Sequence, residues 1–481
     1  MTNAAETQRR FPQPSWAWPD GALDLALTAI LAPDEVRAEQ AARQWFSEHE
    51  IDDVGFREHR LLTALSARFG KSLSDLPEYP RLLGLQRMLW TKSRMAFREA
   101  APSLQELADA GISVMVFKGA GRIALNADTQ KSRVSHDVDI IVRPSEAAKA
   151  LNILTRSGWT PSSGESSLCL QSRISDIPAI NLFYGHFGDL DLHQWGYGRD
   201  GALAELEEDL WENAKAGDFF GVPVLVPSPE DRLALTLKSS ALDSHAHSDW
   251  LVDCAQTFQE DDVDEERLRL TIEASGVAVE ALIAFSYLRD RIGLDIPTLS
   301  AITEEARRIP MVDRWAKLLQ AKPRTDWTTS TKILRGLAKM RRLMKKSRVE
   351  SRVGAGPIRG RNKSGQHSGQ IGLSHLLGTF DVSGGRNRQL ELELSFKTNG
   401  RRRRYEFEIN TQENHVARLR WRDLFGSDGW RRLRFHVELP EHINGKELWI
   451  EARPGKNLRT QDPDELAHYK AVAFAVEQAK I

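Results

Sequence analysis

Two short stretches constrain this chain more than anything else in it. Val116-Phe117-Lys118-Gly119 is an apolar run that breaks at a glycine, and Arg133-Val134-Ser135-His136-Asp137-Val138-Asp139-Ile140-Ile141-Val142 sets two aspartates one residue apart at the head of a second apolar run. Alternation along a strand puts Asp137 and Asp139 on one face, with Val138 turned into the layer beneath. Carboxylates so placed repel each other unless a cation lies between them, and oxygen-only ligation with room for water and phosphate suits Mg²⁺. A third run, Gly188-Asp189-Leu190-Asp191-Leu192-His193, brings Asp189, Asp191 and His193 together opposite Leu190 and Leu192. The chemistry implied is metal-dependent phosphoryl or nucleotidyl transfer. Asp191 is expected to be the third carboxylate, with Asp189 the alternative on the same face.

Taken together, Lys-Gly, Arg-x-Ser-x-Asp-h-Asp and h-Asp-h-His (h apolar) resemble the polymerase-β-like nucleotidyltransferase superfamily. The nearest branch is the bacterial family of uncharacterised nucleotidyltransferases, with a kinship to toxin-type nucleotidyltransferases. The resemblance covers residues 100–260, about a third of the chain. Two features depart from the pattern. The usual Gly-Ser is Lys118-Gly119-Ala120-Gly121 here, and His136 precedes the first aspartate. The first departure bears on how phosphates are held rather than on the metal pair.

The resemblance implies roles for particular residues. Asp137 and Asp139 would bind the Mg²⁺ that bridges nucleotide phosphates, and Asp191 would share a second ion, with Mn²⁺ an alternative metal. Gly119 and Gly121, lacking Cβ, would let backbone N–H groups approach a triphosphate, and Lys118 would add a point charge. Ser135 belongs to the same nucleotide-binding set. Arg133 either contacts phosphate or pairs with an aspartate, and His193 either meets a phosphate or is structural. The alternative for all of them is a solvated strand end and an ordinary strand-to-helix turn.

The rest of the chain bounds the setting. At 481 residues it has room for two to four domains, and its 41% hydrophobic and 28% charged composition is ordinary for a soluble globular protein. A formal net charge of −1 argues against a wholly electrostatic nucleic-acid binder. Two cysteines, Cys169 and Cys254, form no metal spacing and fit a reducing compartment. Without an apolar leader or a run of ~18–20 apolar residues, a cytoplasmic location with no membrane partner is expected.

Organisation follows from pattern. Residues 1–100 read as a helical region, 101–226 as an α/β nucleotidyltransferase domain with flanking helices, and 227–345 as a helical domain. Within the α/β stretch the expected elements are strands at 112–117 and 137–143, helices at 121–127 and 145–157, and a hairpin of 180–184 with 189–195. Residues 346–372 read as a basic Gly/Ser linker, since from Lys332 to Lys363 twelve Lys/Arg face one acid, Glu350. Residues 373–481 alternate apolar and polar, with Asn399-Gly400 a hairpin signal, and read as an antiparallel β-sandwich closed by a helix over 462–480. In outline that module resembles small carbohydrate-binding modules. His245, His247, Asp249 and Asp253 are read as structural or substrate-side rather than as a metal site, and the run Arg401–Arg404 as a charged strand edge.

The expectation is therefore a Mg²⁺-dependent nucleotidyltransferase taking a nucleoside triphosphate, ATP or another, and passing NMP to an acceptor that is a small molecule, protein or RNA. The rival readings are a non-catalytic nucleotide-fold protein whose β module recognises a glycan or peptide, and a toxin-type enzyme acting on RNA or protein. The acceptor, the base and the oligomeric state are not legible in the chain.

Overall fold

A computed structural model describes residues 13–162, 170, 174, 177–199, 201–239, 242, 248–323, 328–346, 374–379, 389–399, 404–411, 413–422, 428–440, 443–454 and 474–480. The chain divides into two units, residues 1–143 with 187–348 and residues 144–186 with 349–481.

The first unit opens with four helices: α1 (Gly21–Leu31), α2 (Glu35–Glu48), α3 (Phe56–Phe69) and α4 (Tyr79–Asp109). Helix α2 starts where Asp34 accepts the Arg37 N–H, as an N-cap should, and buries Ala38, Ala41, Ala42 and Trp45 at helical spacing. Helix α4 runs through Pro102 without a break. Its buried stripe, Ala96, Phe97, Ala100, Leu104 and Leu107, continues on both sides of the proline, so tertiary packing holds what intrinsic propensity would interrupt.

Next come β1 (Met115–Val116), α5 (Lys118–Leu125) and β2 (Val138–Ile141). In the second unit, α6 (Ala147–Arg156) is followed by β3 (Thr160–Pro161) and β4 (Ala179–Tyr184), which pair antiparallel. The chain re-enters the first unit with β5 (Gly188–His193), α7 (Ala202–Glu212), β6 (Lys215–Phe219) and β7 (Val222–Val226). The strand order there is β5-β2-β1-β7-β6. Strands β2 and β5 are parallel, as are β1 and β7, whereas β1–β2 and β6–β7 run antiparallel. This mixed sheet, flanked by α4 and α5, is the α/β arrangement expected of a nucleotidyltransferase fold.

Helices α8 (Pro229–Lys238), α9 (Asp249–Glu260), α10 (Glu265–Ser275) and α11 (Ala278–Ser286) follow, and α11 passes directly into a π-helical turn, Tyr287–Ile292. The unit closes with α12 (Leu299–Arg308), α13 (Met311–Ala321) and α14 (Thr329–Lys346). One apolar cluster unites α8–α13 with α1–α3, and a second, including Met115, Phe117, Ile141, Leu210 and Leu235, lies beside the sheet.

The C-terminal part contains β8 (Ser374–Thr379), β9 (Gln389–Asn399), β10 (Arg404–Asn410), β11 (His415–Arg422), β12 (Asp428–Glu438), β13 (Glu447–Pro454) and β14 (Phe474–Lys480). They form two antiparallel sheets, β11-β10-β13-β8 and β12-β9-β14. Two expectations are corrected here. Residues 474–480 are a strand on β9 rather than the end of a helix: a seven-residue apolar/polar mixture carries too little periodicity to choose, and β9's free edge decides. Strands β9 and β10 lie in different sheets, so the Asn399-Gly400 signal does not make a hairpin between them.

Candidate active site

The sequence folds locally around a sharp strand-to-helix passage. Strand β1 ends at Val116, Phe117 is extended, and Lys118 takes φ 53° as the first residue of α5. A left-handed lysine costs on the order of 1–2 kcal/mol, because its Cβ crowds the following carbonyl. The backbone strain of this passage therefore sits on Lys118; neither Gly119 nor Gly121 has a positive φ.

Both glycines are required by close approach. A Cβ on Gly119 would lie 2.7 Å from Ser135 Oγ, and one on Gly121 would lie 2.8 Å from the Val116 carbonyl oxygen. The space beside Gly119 is therefore filled by Ser135 and backed by Arg133, rather than left open for phosphate.

Lys118 reaches from this elbow to β2. Its Nζ lies 2.5 Å from Oδ1 of Asp139, which is only 2% exposed. His193 Nε2 stands 3.1 Å from the same oxygen, and the imidazole packs edge-on against the Phe117 ring. Parallel register sets Asp139 opposite Asp191 and Ile141 opposite His193. Asp139, Asp191 and His193 each offer one ligating atom within 4.8 Å of the others. Of the two β5 aspartates, Asp191 is the one in this cluster.

Charge coupling is strong here. Burial opposes the Lys118 ammonium, but the Asp139 carboxylate outweighs it and the lysine titrates above its ordinary range. Burial would likewise raise Asp139, yet Lys118 and His193 hold it below the usual carboxylate range. Asp139 is therefore an anion at neutral pH, although almost no water reaches it.

Asp137 behaves differently from the expectation. It lies in a bend just before β2 and accepts a hydrogen bond from Ser135 Oγ at 3.0 Å. It lines the cleft with Lys118 and Asp139 but is not a member of the three-donor cluster. Next to it, burial and the nearby Arg60 lower the His136 imidazole to about 4.

Arg133 is committed to helix α9. Its Nε and Nη2 meet the two Asp253 oxygens at 2.8 and 3.0 Å, and Nη1 lies 3.2 Å from Asp249. These carboxylates hold the guanidinium charged against its burial. Asp249 also pairs with Arg60 of α3 at 3.2 Å, and Arg122 of α5 grips Glu260 through both oxygens at 2.9 Å. Fixed distances of more than a hundred residues separate these partners, and no sequence period links them. Asp249 and Asp253 are thus structural supports of the site, consistent with the non-metal reading; His245 and His247 lie outside the described residues, as does Cys169. Cys254 is buried, which pushes its thiol far up.

Lys118, Gly119, Arg133, Ser135, Asp137 and Asp139 line a cleft of about 210 Å³, with Arg60, Thr236, Ser239, Asp249, Trp250 and Asp253 on its helical side; Asp191 and His193 are not part of that lining. The donor chemistry fits a divalent cation. Asp139 and Asp191 supply the oxygen ligands that Mg²⁺ prefers, and His193 adds a nitrogen within 4.8 Å of both, a donor more usual for transition metals. Lys118 is the counter-ion that Asp139 has in this structure.

With this geometry in view, comparisons with known proteins place the chain. Residues 56–293 match the family described as uncharacterised nucleotidyltransferase. That segment, just under half of the chain, contains β1, β2, β5 and the whole cleft. Among solved structures, the chain is similar to an antigenic nucleotidyltransferase-like protein from Paracoccidioides brasiliensis, at 16% identity and a TM-score of 0.29, over 44% of this chain and 92% of that one. No curated protein matches.

Proposed function

We propose that this protein is a magnesium-dependent nucleotidyltransferase: NTP + acceptor → NMP-acceptor + pyrophosphate. The observation that carries the reading is the register pair Asp139–Asp191 on parallel strands, joined by His193 and faced by Lys118, inside the segment that matches a nucleotidyltransferase family. The reading extends to the polymerase-β-like superfamily, a cytoplasmic setting and a sandwich formed by the two C-terminal sheets, whose inward side chains share one apolar cluster.

In this account Asp139 and Asp191 would hold the metal, with Asp137 on the adjoining bend as a further oxygen donor and His193 bonded to Asp139 beside them. Bound there, Mg²⁺ would supply charge neutralisation to the triphosphate and to the departing pyrophosphate. Asp139, kept ionised by its neighbours, needs no deprotonation before it ligates. Lys118 exchanges its carboxylate partner for a phosphate oxygen, a swap of one charge-assisted contact for another. The strained φ of Lys118 fixes where the ammonium points. The acceptor oxygen bonds to the α-phosphorus, the α–β bridging P–O bond breaks, and pyrophosphate leaves with the electron pair.

The test is incubation of the full chain with each labelled NTP, Mg²⁺ and a panel of acceptors (the protein itself, RNA and small hydroxylated metabolites), read by mass spectrometry. The reading predicts one NMP mass added to one acceptor class. Stoichiometric nucleotide binding with no transfer to anything in the panel would favour the non-catalytic alternative.

A further inference from the structure

Helix α14 presents an apolar surface with no partner among the described residues. Its inner edge is fixed: Thr331 is buried, and Arg335 Nη1 donates to the Gln320 carbonyl at 2.6 Å, at the end of α13. On the outer edge Ile333, Leu334 and Leu337 are 59%, 48% and 52% exposed, and α13 itself leaves Met311 and Val312 uncovered. Met340 and Met344 continue the same helical spacing in the sequence. The eighteen residues of α14 carry seven Lys/Arg and no acid.

We infer that α14 is a docking surface for an anionic lipid bilayer. A lipid interface takes both halves of this pattern at once: acyl chains receive the isoleucine and leucines, and acidic headgroups receive the cations. RNA would meet the charge but leave the aliphatic stripe in water. A second copy of the chain would cover the stripe only by bringing two strongly basic helices together. No helix among the described residues is long and apolar enough to cross a membrane, so the attachment is peripheral. The sequence-based expectation of no membrane partner rested on the lack of a spanning run, which a surface-lying helix does not need. This surface is argued independently of the catalytic reading.

The experiment is sedimentation of the full chain with vesicles of phosphatidylcholine alone or with added phosphatidylglycerol, at low and high salt. Binding is expected only with the anionic lipid, falling as salt rises. Two double variants are compared: Ile333→Asp/Leu337→Asp, which changes exposed side chains, and Lys339→Glu/Arg342→Glu. Each is expected to lower the partition coefficient roughly tenfold or more, with an unchanged melting temperature showing that the fold is intact. Equal binding to neutral vesicles, no binding, or binding that both variants retain would overturn the assignment. So would loss of RNA binding or of a dimer in the variants while vesicle binding persists.

Discussion

The ammonium of Lys118 lies 2.5 Å from Oδ1 of Asp139, the same oxygen that His193 Nε2 approaches to 3.1 Å. A cation and an imidazole thus already satisfy the buried carboxylate that the proposed metal would use. Asp139 consequently has two jobs, and its removal should show in both.

Asp139→Asn should reduce transfer by about a thousandfold or more and also cost stability, on the order of 1–3 kcal/mol, because Lys118 loses its charged partner inside the protein. Chemical denaturation alongside the transfer assay separates the two effects. Near wild-type transfer at saturating Mg²⁺ would remove Asp139 from the site.

Lys118 is predicted to be strained as well as functional. Lys118→Ala keeps the left-handed cost while losing the ion pair; Lys118→Gly loses the pair but relieves the backbone. The glycine variant should therefore be the more stable by about 1 kcal/mol, although both bind nucleotide weakly. Equal stabilities would mean that the φ of 53° carries no cost.

Gly119 is predicted to act through Ser135. Gly119→Ala puts a methyl 2.7 Å from Ser135 Oγ and should disturb the bend that carries Asp137. Adding Ser135→Gly removes the obstacle and should restore much of the lost stability, measured by thermal unfolding. If Gly119→Ala alone folds normally and only nucleotide binding fails, the space beside Gly119 is phosphate space after all.

The strand-to-helix passage, the β5 carboxylate and the parity of Asp139, Asp191 and His193 were all legible, because strand alternation and a glycine break are local signals. The bend just before β2, in which Ser135 Oγ donates to Asp137, is a local detail that no periodicity encodes. The Arg133–Asp253 pair joins positions 120 residues apart, a contact only the folded chain creates. The strand at Phe474–Lys480 was missed because an available edge on β9 overrode a weak helical pattern.

An alkaline limb is expected from Tyr197, whose buried hydroxyl donates to Asp231 at 2.7 Å. Burial, and then the Asp231 charge, raise its pKa well above the ordinary tyrosine value. A pKa raised on folding gives stability that is complete below the unfolded value of ~10 and is lost as pH rises beyond it. Tyr197→Phe should cost about 1 kcal/mol or somewhat more at neutral pH, a difference that narrows above pH ~10 when urea unfolding is compared across pH.

The most direct test of the central claim is calorimetric titration of NTP into the wild type and Asp191→Asn, each with Mg²⁺ and with EDTA. Asp191 faces Asp139 across β2 and β5 and shares the three-donor cluster, so its carboxylate should be needed for metal-dependent binding. The account predicts binding by the wild type with Mg²⁺, loss of that binding in EDTA, and weak binding by the variant in both. Equal affinity with and without the metal, or a variant that binds as the wild type does, would contradict it.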